Sequence, residues 1–176
     1  GSLSFRTQGD INIQGIVTLK NSFTVLDSEN FTAFADVTAD SISMTSNTNS
    51  KDTVVAFNRN VTTSTGDFLI TNLGNSNTKG AQFYINKDAL SLTFPPANLT
   101  FTVADNFNAA NTGGIYDLFV CGNIATVTNN ITIANKGELT LGTVNIPAIS
   151  PPNSSITSTN GFFDASGLVG PTNLFM

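Results

Sequence analysis

The stretch Gly122–Ile146 reads GNIATVTNNITIANKGELTLGTVNI. Ile131-Thr132-Ile133, Leu139-Thr140-Leu141 and Val144-Asn145-Ile146 each alternate an apolar residue with Thr or Asn. Alternation of period two places one side-chain set on each face of a strand. Between these segments stand Asn, Lys and Gly, which favour turns. The pattern is one of short strands joined by tight corners. Gly9–Leu26, GDINIQGIVTLKNSFTVL, repeats the same style near the other end of the chain.

Working outward, similar segments run through the whole sequence. They include Phe31–Phe34, Ser41–Met44, Thr53–Phe57, Asp67–Thr71, Gln82–Asn86, Leu90–Phe94, Leu99–Val103 and Ile115–Val120. No stretch carries the 3.6-residue apolar period of an amphipathic helix. The expected fold is all-β. Two architectures fit. One is a parallel β-solenoid, a stack of coils of roughly 20 residues with two or three short strands each. The other is an antiparallel β-sandwich or jelly roll with strand exchange, in which Gly114–Val127 forms one longer strand. No fixed period links the segments. Residues 1–150 are expected to form a single β domain. The Pro-, Ser- and Asn-rich residues 151–176 are expected to form a tail that packs on the body or on a neighbour.

Composition narrows function mainly by exclusion. The 176 residues hold 14 Phe but no His and no Trp, and only 11% are charged. Such a chain has enough apolar side chains to fold and little to drive disorder. Seven basic residues against twelve acidic ones cannot form a phosphate-neutralising stripe, so nucleic acid is not an expected partner. No apolar run reaches the roughly 20 residues of a membrane-spanning helix. Without His, neither a Ser-His-Asp nor a Cys-His arrangement can be built, and one cysteine cannot replace the usual zinc ligands. Cys121 follows Leu118-Phe119-Val120 and reads as a small core residue of a strand, with a bridge between chains as the alternative. A carboxylate-pair glycosidase would also want stacking aromatics, and only Tyr84 and Tyr116 offer polar rings. The chain is therefore read as non-enzymatic, and the low-charge Thr/Ser/Asn surface as extracellular or on a cell or virion surface.

Three groups of residues are candidates for function. Five Asn-x-Ser/Thr sequons, at Asn30, Asn60, Asn98, Asn130 and Asn153, are acceptors for glycosylation, although a chain this rich in Asn, Ser and Thr produces sequons without selection. Asp27-Ser28-Glu29-Asn30 and the pair Asp36 and Asp40 are the densest oxygen-ligand groups; no cofactor is expected, and calcium is the one ion they would suit. Residues 2–19 alternate well enough to serve as a donor strand for a neighbouring subunit, through Ser2, Leu3, Phe5, Ile11, Ile13, Ile16, Val17 and Leu19. Thr62-Thr63-Ser64-Thr65 and Thr126-Val127-Thr128 read as too few and out of step for an ice-binding array.

Gly9–Val25 and Gly122–Ile146 resemble passenger segments of bacterial surface β-helices, namely autotransporter adhesins and polymorphic outer-membrane proteins. The latter family carries FxxN and GG-[AILV] motifs. Phe57-Asn58-Arg59-Asn60 and Phe83-Tyr84-Ile85-Asn86 match the first, and Gly113-Gly114-Ile115 the second. By composition the chain is also similar to extracellular thread and pilus subunits. These resemblances imply a surface role without catalysis. One expectation is a subunit that associates with other copies of itself through strand edges into a filament, fibre or layer. The other is an adhesin or receptor-binding module that meets a surface glycan or receptor through Ser46–Asp52 or Gly74–Gly80.

Overall fold

A computed structural model of the chain describes residues 1–46, 53–72, 81–85, 100–111, 118–121, 126–127, 131–135, 138–141, 144–145, 155–158, 163–164, 168–169 and 173–175. Among them there are strands and no helix. The strands come in successive triplets. The first is β1 (Leu3–Arg6), β2 (Ile11–Ile13) and β3 (Val17–Thr18); the second is β4 (Ser22–Ser28), β5 (Asn30–Ala33) and β6 (Val37–Ala39). The third is β7 (Ser41–Ser46), β8 (Thr53–Phe57) and β9 (Val61–Thr63); the fourth is β10 (Phe68–Asn72), β11 (Ala81–Ile85) and β12 (Phe101–Val103). Then follow β13 (Phe107–Asn111), β14 (Leu118–Cys121) and β15 (Thr126–Val127), and β16 (Ile131–Asn135), β17 (Glu138–Leu141) and β18 (Val144–Asn145). The chain ends in β19 (Ser155–Ser158), β20 (Phe163–Asp164), β21 (Leu168–Val169) and β22 (Asn173–Phe175).

Each strand pairs with its counterparts in the triplets before and after. The first sheet runs β1-β4-β7-β10-β13-β16-β19-β22 and the second β2-β5-β8-β11-β14-β17-β20. The third runs β3-β6-β9-β12-β15, and β18 pairs with β21. Among the described residues no sheet closes into a barrel. Every pairing among the described residues is parallel. The antiparallel sandwich is therefore not the arrangement found, and the long strand expected over 114–127 is instead β14 and β15 in two different sheets. Beyond residue 150 the described strands β19 to β22 pair with strands of the sheets before them.

Alternation decides what lies inside. In β7 the odd positions Ser41, Ser43 and Thr45 are half-buried, whereas Ile42, Met44 and Ser46 are buried. Register then stacks like on like: Phe68 lies between Ile42 and Phe107, and Phe57 between Ala33 and Ile85. The result is one apolar core with a chain of aromatic rings along it. Phe5–Phe23, Phe23–Phe31, Phe31–Phe57 and Phe57–Phe68 have ring centroids 6.1, 6.0, 5.2 and 5.5 Å apart. Phe68 continues edge-on to Phe101 and Phe107 at 4.9 and 5.5 Å. These separations and tilts are those that favour aromatic pairs beyond plain area burial.

One irregularity interrupts the stack. Between Val25 and Ser28 the register of β4 on β7 shifts, and Asp27 takes a left-handed φ of 59°. A bulge of this kind absorbs one extra residue locally. Arg6 meets Asp27 there at 3.0 Å, but an exposed pair adds little stability.

Phe68 touches three rings and is wholly buried. Phe68→Ala should cost about 3–5 kcal/mol in urea-induced unfolding, against under about 0.5 kcal/mol for Ser4→Ala on the exposed face of β1.

Candidate functional site: side-chain ladders at the corners

The residue just before the first inward-facing residue of a strand occupies a corner. At the entry to the second sheet, Asn30 Nδ2 donates to Asp10 Oδ1 (2.8 Å), and the backbone N–H of Val54 donates to Asn30 Oδ1 (2.9 Å). At the entry to the third, Asn60 Nδ2 donates to both carboxylate oxygens of Asp36 (3.2 Å each) and Asn60 N–H to Oδ1 (3.1 Å). Thr100 N–H then donates to Asn60 Oδ1 at 2.8 Å. At the entry to the first, Asn106 donates through N–H (3.0 Å) and Nδ2 (2.9 Å) to Asp67 Oδ1, and Ser22 Oγ donates to Ser2 Oγ at 3.3 Å. All three corners use an Asp followed one triplet later by an Asn.

These ladders have a direction. The side-chain oxygen of one triplet accepts from the backbone N–H of the next. A corner N–H lies where the sheet ladder ends, so it needs an acceptor from a side chain or water. The short Asn and Asp side chains reach it and also tolerate turn backbone.

Each residue singled out in the sequence can now be placed. Asn30 and Asn60 are corner residues with both amide atoms engaged. The triplet corner–apolar–outward polar recurs as Ser22-Phe23-Thr24, Asn30-Phe31-Thr32, Asp36-Val37-Thr38 and Asn60-Val61-Thr62. It spells a sequon whenever the corner is Asn and the third residue Thr. Asn98, Asn130 and Asn153 lie outside the described residues. Asp36 is committed to Asn60, Asp40 Oδ1 accepts from Ser64 and Thr65, and Asp27 pairs with Arg6. Among the described residues no group of three or more Asp, Glu, Cys or His could hold a metal ion. The two FxxN motifs occupy different positions, since Phe57 pairs with Ile85 and not with Phe83. Asn60 is a ladder residue; Asn86, residues 113–115, the Ser46–Asp52 stretch beyond Ser46, and 74–80 lie outside the described residues. Cys121 takes a register position between Ile85 and Leu141.

The proposed donor segment is the first triplet itself. Leu3, Phe5, Ile13, Val17 and Leu19 pack half-buried against the chain's own core, and Ile11 is 9% exposed. Ser2 is exposed, and Ile16, 76% exposed, stands at a corner where later triplets have Asp36, Asn60 and Thr100. β1, β2 and β3 stand first in the three sheets, each paired with its counterpart in the second triplet.

Two surface features escaped the sequence reading. Register brings Thr18, Thr38, Thr62, Thr102 and Thr126 into one row across the third sheet, with the first four on its outside. The threonines are thus in step, contrary to the linear reading, because their sequence spacings follow connector lengths. Thr–Thr neighbours of this kind stabilise a sheet, and the file is one residue wide, flanked by Asp36 and Asn60. On the outer face of the first sheet a shallow depression of about 360 Å³ lies over Leu69, Ala110 and Ala134.

No protein-family model, curated protein or solved structure matches this chain.

Asn60→Ala removes a donor to Asp36 and the acceptor for Thr100 N–H, and should cost about 2–3 kcal/mol in urea unfolding. In the double variant with Asp36→Ala the losses should fall short of additive, because the two side chains bond to each other.

Proposed function

We propose that the chain is a non-enzymatic extracellular structural subunit, a parallel β-solenoid that self-associates through strand edges into a filament, fibre or surface layer. The observation that carries this reading is the in-register parallel stack itself, in which every described strand pairs edge to edge with its counterpart one triplet away. The described strands carry few charges and no proline, and unblocked edges are templates for pairing. Each further triplet stacked in this way buries inward apolar side chains, at roughly 25 cal/mol for each Å² of apolar area removed from water.

The chemistry available supports a role without turnover. The chain has no His and one Cys, and several of its described carboxylates serve as coil-to-coil acceptors. The outward positions are chiefly Ser, Thr and Asn, which suit a wet, weakly charged surface. Cohesion comes from backbone hydrogen bonds and apolar burial, neither of which depends strongly on ionic strength.

Negative-stain microscopy and sedimentation of the purified 176-residue chain should show threads that lengthen with protein concentration and persist from low to high salt. Uniform single particles at every concentration would contradict the reading.

A further inference from the structure

We infer that Asn30 and Asn60 accept an N-linked glycan only while the chain is unfolded, and that folding closes both sites. Closure follows from the fold and does not depend on the self-association proposed above.

Glycan transfer makes one bond and breaks one. The side-chain nitrogen Nδ2 gives up a proton and bonds to the anomeric carbon of an oligosaccharide, whose bond to a lipid diphosphate breaks. The acceptor is the whole Asn-x-Ser/Thr tripeptide, which is why a sequon in use marks a surface loop. Asn30-Phe31-Thr32 and Asn60-Val61-Thr62 both satisfy the motif. Neither is a loop. The first opens β5, and in the second Asn60 leads directly into β9.

Three constraints hold each tripeptide. The nucleophile itself is engaged: Asn30 Nδ2 donates to Asp10, and Asn60 Nδ2 to both carboxylate oxygens of Asp36. Oδ1 of each amide accepts a backbone N–H from the coil on the other side, Val54 for Asn30 and Thr100 for Asn60. Neither amide can swing out without breaking bonds to two coils. The backbone is held as well. β5 lies between β2 and β8, and β9 between β6 and β12, so both edges of each strand are paired. Val61 N–H donates to Thr100 O and Asn60 O accepts from Val37 N–H, each at 3.0 Å. Last, the middle residue of each sequon is a core residue. Phe31 is wholly buried between the rings of Phe23 and Phe57, and Val61 is buried too.

Lifting either tripeptide into a transferase cleft therefore parts two parallel pairings and draws a core side chain into water. Opening of that extent belongs to sub-global or global unfolding, not to fraying of a loop. The polar corner residue, the inward apolar residue and the outward Thr that together spell the sequon are the same three that lock it in the stack.

The test uses the full chain carrying a second copy of residues 57–64 as a C-terminal tag. The folded protein is incubated with a purified oligosaccharyltransferase and a lipid-linked oligosaccharide, and occupancy is read site by site by mass spectrometry. Free peptides 27–34 and 57–64 and the tag should be glycosylated, with Asn30 and Asn60 of the folded body at least about 100-fold slower. Phe68→Ala alters neither sequon but lowers stability, and should speed modification at both sites together. A variant that fails to fold should be modified like the peptides. Modification of Asn30 or Asn60 in the folded parent at the tag's rate would overturn closure by folding. So would peptides as resistant as the chain, or a Phe68→Ala chain modified no faster than the parent.

Discussion

In-register parallel pairing is the constraint on which everything else in this molecule depends. Parallel strands cannot be joined by a tight hairpin; they need a crossover of a dozen or more residues. Most proteins supply that crossover with a helix, which also covers the sheet. Here the crossover from β4 to β7 consists of β5 and β6, so each strand is part of the connection for the other two sheets. The inward faces of the described strands then meet in one core, and their outward positions are chiefly Ser, Thr and Asn, apart from Leu26, Leu69 and the cluster of Val54, Ala56 and Tyr84. Register is enforced because a slip by one residue would turn Phe23, Ile42 and Phe68 outward and Ser22, Ser41 and Asp67 inward.

The corners are where such a fold is most easily lost. A strand's backbone groups are satisfied by its neighbours, but at a turn the ladder stops. Asp10–Asn30, Asp36–Asn60 and Asp67–Asn106 carry the hydrogen bonding across that gap in the three sheets. The same pairs give the stack its polarity, because acceptor side chains reach toward the next triplet and backbone donors toward the previous one.

Much of the strand content was legible from alternation alone: Phe23–Leu26, Ser41–Met44 and Thr53–Phe57 fall in β4, β7 and β8. The repeat was not legible, and the reason is physical. Phe23 aligns with Ile42, Ile42 with Phe68 and Phe68 with Phe107, so the step varies with the connectors while the strands keep their register. The connectors before β8, β11 and β12 hold the extra residues. Asn30 and Asn60 stood out as sequons, a local pattern. Their partners Asp10 and Asp36 lie 20 and 24 residues away and share no local signal with them. The file of Thr18, Thr38, Thr62 and Thr102 was hidden for the same reason. A polar residue immediately before an apolar–polar pair, as in Asp36-Val37-Thr38, is the one sequence cue that would have located the corners.

In-register stacking makes a direct demand on Thr38 and Thr62, which lie side by side on adjacent parallel strands. Such neighbours are about 4.8 Å apart, inside the Cα window of roughly 4.4–6.8 Å that a disulfide requires. In a Cys121→Val background, Thr38→Cys with Thr62→Cys should oxidise readily to an intrachain disulfide in the folded protein. Thr38→Cys with Thr63→Cys should not, because Thr63 is buried on the opposite face of its strand. Equal bridging by both pairs, or bridging by the second alone, would contradict the stack.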